Sequence, residues 1–552
     1  MGPATLIVTN GRVVTMDDAA PTAEAVALDG ERILAVGTNA AIRDLAGPDS
    51  RIVDAAGATV LPGFIESHLH LFLGGNELAH LQLLGVHGPE ALHAALSDFA
   101  AGNPDAPMLC GQGCDYAIYD RALTRHDLDA IVPDRPVLLT AADHHTAWAN
   151  TRALDMAGLL NGRDLPVGNE VVMGADGTAT GELREFKAFE PVLQLTGQDR
   201  INAGIATGEE PVPPATDADV LADMEPMARG LAHCARYGFT SLVNMDGNLY
   251  TLRVLGALRD RGRLTARVRV PFHYRPHRQV ADLAAASAMA LAYDDDWLCS
   301  GFVKMFMDGV IDSETAVCLE DYPDSPGWKG DPLHAAARFN DVCVEADRRG
   351  LQIAVHAIGD GAVRRVLDGY EAARRANGPR DSRHRIEHIE LIDRADVPRL
   401  AELGVVASVQ PSHPPGNLDF PLFPTLGKIP RHRWKDAYLC RDLADAGAHL
   451  TFASDWPVAD INPFRSIQAA ILRPTYEGAT NQSVTLMEAL KAYTIGGAWT
   501  EHTEDRKGML RPGYLADLVI LSGDIEATEP AEIGTMSVAV TICGGRIVWE
   551  AP

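Results

Sequence analysis

The chain is short of basic residues: 48 Lys and Arg stand against 75 Asp and Glu, a formal net charge of −27 over 552 residues. A surface this acidic repels polyanions, so nucleic acid and anionic membranes are excluded as expected partners, and solubility is the plain reading of the charge. Long apolar runs are missing too, and nothing approaches the ~20 residues that cross a bilayer. The opening stretch MGPATLIVTNGRVV has no basic segment followed by an apolar one. No secretory signal is expected from it, and Leu6 stands where a myristoylation motif needs Ser or Thr. Cysteine is sparse, with eight residues, no C-x-x-C pair, and Cys110 and Cys114 the nearest two. That spacing argues against a disulfide framework and for reduced thiols in the cytoplasm. Neither a long internal repeat nor a low-complexity tract is present.

What remains is an ordinary globular composition, 46% hydrophobic and 22% charged, in a chain too long for one common core. The two ends look alike. TLIVTNGRVVTM, AVALDGERILAVG and RIVDAAGATVL near the start, and ADLVILSG and VAVTICGGRIVWE near the end, are short β-type runs separated by Gly and Asp-Gly turns. Residues 1–60 and 508–552 are therefore expected to form one small β-sandwich together. Between them, strand-like runs alternate with amphipathic helical stretches, the pattern of a parallel α/β fold. Eight runs qualify as strands: 63–71, 238–245, 266–274, 301–309, 351–359, 384–391, 405–412 and 450–458. Eight such units are the number in a (β/α)8 TIM barrel, here expected over residues 61–507. Roughly 165 residues separate the first two strands, far more than a loop. An α/β insertion over about 75–190 is expected to fill that gap, followed by a Pro-rich acidic loop at 207–219.

Strand one, GFIESHLHL, carries His68 and His70 inside an apolar run. Residues at i and i+2 of a strand share a face, so the two imidazoles project together. Alone, H-x-H is weak. Other strands end in the same way: His356 in AVHAIGD, His388 in RIEHIEL and Asp455 in FASDWPV. Lys304 lies in the apolar body of FVKMFMDG, where an unpaired lysine is costly to bury. Singly, these have structural readings as core histidines, a capping Asp and a snorkelling Lys. Together they place imidazoles, a carboxylate and a lysine at one end of a barrel, where active sites form.

The stretches LPGFIESHLHL, VLLTAADHHTAWANTRAL, TGELRE, VKMFMDG, VHAIGDGAVR, RIEHIEL, VQPSH, SDWPV and KGMLRPGYLADLVIL resemble the amidohydrolase superfamily, in its YtcJ-like branch with the N-substituted formamide deformylases. The resemblance implies a metal-dependent hydrolase on a barrel with a terminal sandwich. It implies His68, His70 and Asp455 on a buried metal, His356 and His388 on a more exposed one, and Lys304 carboxylated as the bridge. Two zinc ions suit that donor set, though iron or manganese also fits. The resemblance makes the substrate a small molecule, most naturally an amide or an N-formyl or N-acyl amine. A metal-activated hydroxide would attack it, with Asp455 as general acid and base. His145, in DHHTAW, matches a family histidine that reaches the substrate. His144 replaces the usual Gly, and CDYAIYD at 114–120 lacks the family's Trp. Further substrate contacts are expected from His144, Trp456, Arg184 and His413, with Asp360 another polar candidate.

Two other readings compete. A deaminase of this superfamily would use one metal and an H-x-x-E step, but the third residue after His356 is Gly359 and Lys304 is present. A barrel kept only as a binding scaffold would have gaps in its ligand set, and there are none. Homo-oligomerisation is compatible with the sequence and not specified by it.

Overall fold

The structure is a computed structural model that describes residues 2–552 apart from 142, 143, 145, 166–168, 198, 199, 201–207, 419 and 424. The chain divides into two compact units, one formed by Met1–Leu71 with Leu231–Pro552 and the other by Phe72–Gly230.

The first unit contains the eight strand regions in chain order: β1 (Phe64–Leu69), β2 (Phe239–Asn244), β3 (Arg267–Arg269, resumed at Phe272–His273), β4 (Phe302–Phe306), β5 (Gln352–Ala357), β6 (Arg385–His388), β7 (Val406–Val409) and β8 (His449–Phe452). Each pairs with its successor in parallel. Their residues are buried almost throughout, which is why the strands read as continuous apolar runs rather than alternating ones. The ladder breaks once, within β3. Arg267–Arg269 pairs with β2, and Phe272–His273 pairs with β4. Pro271 lies between them and has no N–H to offer a neighbour. The parallel strands thus fall into two sheets, β1 to β3 with the short strand Leu298–Cys299, and β3 to β8. At the far side, the ends of β1 and β8 meet. Asp455 N–H donates to His68 C=O (2.9 Å) and His70 N–H to Trp456 C=O (2.8 Å). The α-helices Ala336–Arg348 and Asp360–Asn377 each bury one apolar face, the arrangement of helices laid outside a parallel sheet.

Both chain ends also belong to this unit. Leu518–Leu521 lies antiparallel to Thr59–Pro62 in a six-stranded sheet that draws on both ends. A second sheet, of Arg32–Gly37, Ala25–Asp29, Ala4–Thr9 and Ala46–Asp54, contributes to one apolar cluster with it. Leu6, Val8, Val26 and Leu28 come from the second sheet, and Val60, Leu518, Ile520 and Ile542 from the first.

The second unit is wider than the insertion expected from sequence. It holds a mixed six-stranded sheet in the order Glu170–Met173, Ala179–Arg184, Thr146–Ala149, Val137–Ala141, Leu109–Cys114, Leu81–Gln82. Its two apolar clusters divide the alternating residues of these strands. Leu138 and Ala147 belong to one, Leu139 and Trp148 to the other. Among the described residues, no helix is long and apolar enough to cross a membrane.

Candidate metal centre

Six side chains singled out from the sequence gather at the C-terminal ends of the parallel strands or between them. His68 lies at the end of β1 and His70 just past it, as the two-residue spacing requires. Their Nε2 atoms approach one oxygen, Asp455 Oδ1, at 3.3 and 3.1 Å. Asp455 stands three positions beyond β8 with φ of +61°, and His388 ends β6 with φ of +77°. Positive φ is uncommon outside glycine, Asp and His being among the residues that adopt it most readily, and it collects where surrounding contacts fix a side chain's direction. The His388 ring is 4.9 Å from that of His68 and 4.5 Å from that of His356, centroid to centroid. Lys304, fully buried in β4, brings Nζ to 3.5 Å from His68 Nε2 and 4.6 Å from the Phe306 ring centre.

The neighbours set the imidazole tautomers. His68 Nδ1 meets Glu387 Oε2 (2.7 Å), His70 Nδ1 meets Asp246 Oδ2 (2.6 Å), and His388 Nδ1 meets Gln410 Oε1 (2.9 Å). Those oxygens accept, so each Nδ1 donates its proton and a neutral ring keeps its Nε2 lone pair for the centre. His356 is reversed: Nε2 donates to Gly309 C=O (3.0 Å), leaving Nδ1. Outer partners of this kind orient metal-binding imidazoles.

The electrostatics point the same way for His68, His356 and His388. Burial, reinforced by Lys304, pushes His68 down to about 4 and His356 to about 3, so both are neutral donors near pH 7. Burial, then His356, holds His388 well below its usual value. His70 is the exception: burial opposes its charge, yet Asp246 and Asp455 outweigh burial and push it up to about 10, so this ring must give up a proton before its Nε2 can bind a metal. Burial works against Asp455 ionising, but His68 and His70 keep it well below the ordinary carboxylate range. Burial lowers Lys304 to about 8 against the pull of Glu387, Asp455 and Asp246.

A metal fits this arrangement. Asp455 Oδ1 is buried and has no hydrogen-bond partner, while imidazole nitrogens face it. Donor atoms of His68, His388 and Asp455 lie within 4.8 Å of one another, a group able to hold an ion. Neutral imidazole and carboxylate are the donors a divalent transition metal takes.

The amidohydrolase family profile matches residues 51–549. The chain belongs to the amidohydrolase family. It is 28% identical to the YtcJ protein of Bacillus subtilis over 98% of each chain. To the N-substituted formamide deformylase of Arthrobacter pascens it is 26% identical, over 99% of this chain and 98% of that one. Among solved structures, a metal-dependent hydrolase from Pyrococcus furiosus that is otherwise uncharacterized superposes with a TM-score of 0.72 at 28% identity, covering 93% of this chain and 97% of that one. This amidohydrolase is accordingly a metal-dependent hydrolase acting on carbon–nitrogen bonds.

The remaining candidates fall elsewhere. His145 lies outside the described residues. His144 pairs with Glu77 (2.8 Å) within the second unit of the amidohydrolase. Arg184, also in that unit and half exposed, is engaged by Glu170 (2.8 Å) and Glu182 (2.7 Å). Trp456 follows Asp455, but its ring stacks on His233 at 5.1 Å. Asp360 begins a helix, where it accepts from Leu319 N–H and pairs with Arg433. His413 does reach the neighbourhood, its ring nearly parallel to that of His388 at 6.3 Å.

Several contributors were not singled out from the sequence. Glu66 shares a strand face with His68, and burial raises it to about 8. Its Oε1 accepts from Ser454 N–H and His68 N–H. Glu387 is held by Arg385 in a fully buried pair (2.5 Å). Asp246 lies two residues beyond β2. The available signal was acidic residues at the ends of apolar strands, in GFIESHLH, NMDG and RIEHIEL. For Asp246 the expectation is specific. Asp246→Asn should weaken metal binding about 10–100-fold, the usual cost of losing an outer-shell partner, with the fold retained. Competition against a chromophoric chelator measures this, and unchanged affinity would make the pairing a packing contact only.

Proposed function

We propose that this amidohydrolase cleaves an amide, most naturally an N-formyl or N-acyl amine, at a two-metal site on a (β/α)8 barrel flanked by a sandwich of both chain ends. The observation carrying this reading is the convergence of four imidazoles, Lys304 and Asp455 at one end of parallel strands, with His68 and His70 both on Asp455 Oδ1. The contact between the ends of β1 and β8 supports the barrel. Similarity to a formamide deformylase over nearly the whole chain supports the substrate class.

His68, His70 and Asp455 would hold one metal and His356 and His388 the other, with Lys304 shared. Lys304 suits that place as a carbamate. Its amine, lowered to about 8, is partly neutral at physiological pH, and only the neutral amine adds to CO2. Carboxylation turns a buried cation into an anion, which removes the cost of an ammonium beside His68 Nε2. When bound, the metals supply Lewis acidity, polarising a carbonyl and lowering the pKa of a water toward neutrality. Asp455, ionised and turned inward by its positive φ, accepts the water's proton through a carboxylate oxygen and returns it to the leaving nitrogen. Glu387, Asp246 and Gln410 keep the rings fixed while this happens.

Metal analysis of purified protein together with a hydrolysis screen of N-formyl amines, N-acyl amines, esters and carbamates tests this. About two metal equivalents and turnover of an N-formyl or N-acyl amine are expected. One equivalent, with activity confined to C–N bonds other than amides, would replace this reading with a deaminase-type site.

A further inference from the structure

A turn just past β4 is bound to the end of β5, and one buried carboxylate makes most of the attachment. Asp308 stands two residues beyond β4 and is only 2% exposed. Its Oδ2 accepts from Val317 N–H (2.9 Å) and Gly359 N–H (2.9 Å), and its Oδ1 from Ile358 N–H (3.1 Å). The carboxylate therefore joins the turn to the residues two and three positions past His356. The turn is also closed on itself. Gly309 N–H donates to Thr315 C=O (3.1 Å), and Thr315 and Ala316 N–H both donate to Val310 C=O (3.1 and 3.0 Å). Its seat is tight: a methyl group on Gly309 would collide with Thr315, and one on Gly359 with Val317 C=O. The His356 ring is tied to the same place. Its Nε2 donates to Gly309 C=O (3.0 Å), the residue after Asp308, and Asp308 Oδ1 lies 3.8 Å from that Nε2. The longer distance is not a hydrogen bond, but an acceptor oxygen on that side favours a proton on Nε2. Both neighbours thereby leave the Nδ1 lone pair for the metal centre.

We propose that Asp308 is a positioning residue for the metal centre, one that fixes His356 as the Nε2–H tautomer with Nδ1 turned to the more exposed metal. The metal half of this rests on the two-metal reading; the tautomer half does not. Asparagine separates the role from that of a mere clamp. It has the shape of the aspartate and can keep its oxygen on Val317 N–H and Gly359 N–H. Its NH2 group then takes the place of Oδ1, facing Ile358 N–H and His356 Nε2. A donor in that position opposes a proton on Nε2 and pushes it towards Nδ1, the atom the metal needs. Burial pushes the Asp308 carboxyl up to about 7 against its three N–H donors, so the comparison belongs above that pH, where the native group is ionised.

Two measurements test this at about pH 8.5, above the Asp308 value. The first is ¹⁵N NMR of histidine-labelled, metal-free protein, with the His356 signals assigned by their absence in His356→Gln. Wild type should show the Nε2–H pattern, and folded Asp308→Asn a shift towards Nδ1–H. An Nδ1–H ring in wild type overturns the proposal whatever the stability of the variant, and so does an unchanged Nε2–H ring in folded Asp308→Asn. The second is zinc binding in competition with a chromophoric chelator. Wild type should show two affinities, one lost in His70→Ala and the other in His356→Gln. Asp308→Asn should weaken only the one that depends on His356, by about 10–100-fold, the usual cost of disturbing an outer-shell partner. Equal loss at both sites, or loss at neither, would reduce Asp308 to a clamp of the turn and leave the two-metal reading standing. A single affinity in wild type would overturn the two-metal reading instead, and the tautomers would then decide the role of Asp308 by themselves.

Discussion

Asp455→Asn should lower kcat by at least about 10²-fold while the protein stays folded and keeps part of its metal. Asparagine matches the aspartate in shape, so the positive φ and the backbone bond from Asp455 N–H to His68 C=O can persist. What is lost is the charge and the ability to take a proton. In the native chain, His68 and His70 hold that carboxylate well below the ordinary range despite its burial, so it stays ionised near neutral pH. A positioned base contributes about 10²–10⁴-fold, and a weakened metal site adds to the deficit. The effect should lie in kcat rather than KM, because the group acts as the proton moves and not in holding substrate. A metal-loaded Asp455→Asn protein with kcat within about threefold of wild type, against the ~10² expected of a lost base, would remove Asp455 from the proton path. His145 would then be the next residue to test.

The second large effect concerns Lys304. Lys304→Ala should eliminate measurable turnover, and formate, acetate or propionate should restore part of it by standing in for the carbamate. Lys304→Arg should fail in both respects, since a guanidinium stays cationic beside His68 Nε2 and repels a metal. Enzyme prepared with ¹³C-labelled bicarbonate should show one carbamate carbon by NMR. An active, metal-loaded enzyme lacking that signal, its lysine a bare amine, would refute the carboxylated bridge.

The candidate metal centre was legible in the sequence to the extent that its residues broke a pattern. Strands buried on both faces are written as continuous apolar runs, and His68, His70, Lys304 and His388 are conspicuous within them. Their partners were less visible. Glu66 and Glu387 sit in the same words as the histidines, yet only the pairing of strands reveals that Glu387 answers His68 across the sheets rather than its own neighbour His388. Asp246 is one acidic residue among many just past a strand, and its role depends on the close pairing of β1 with β2. Arg184 and Trp456 illustrate the opposite situation. Their residue types suit a binding site, but local partners had already claimed them: Glu170 and Glu182 for the first, His233 for the second. The break in β3 coincides with Pro271, a residue visible in the sequence, which lies between the stretch paired with β2 and the stretch paired with β4.

The pairing of Thr59–Pro62 with Leu518–Leu521 fixes an order of events during synthesis. Ile525 N–H bonds to Thr59 Oγ1, a contact separated by 466 residues. At about 5–20 residues per second, the early strand leaves the ribosome some 20 to 90 s before its partner exists. β1, with His68, comes after that strand with a single residue, Gly63, between them. For that interval the nascent chain carries an open, apolar strand edge directly ahead of His68 and His70, the kind of edge that recruits other chains. The strand that closes this sheet is made after all eight parallel strands, so until then the strand carrying His68 has no completed sheet behind it.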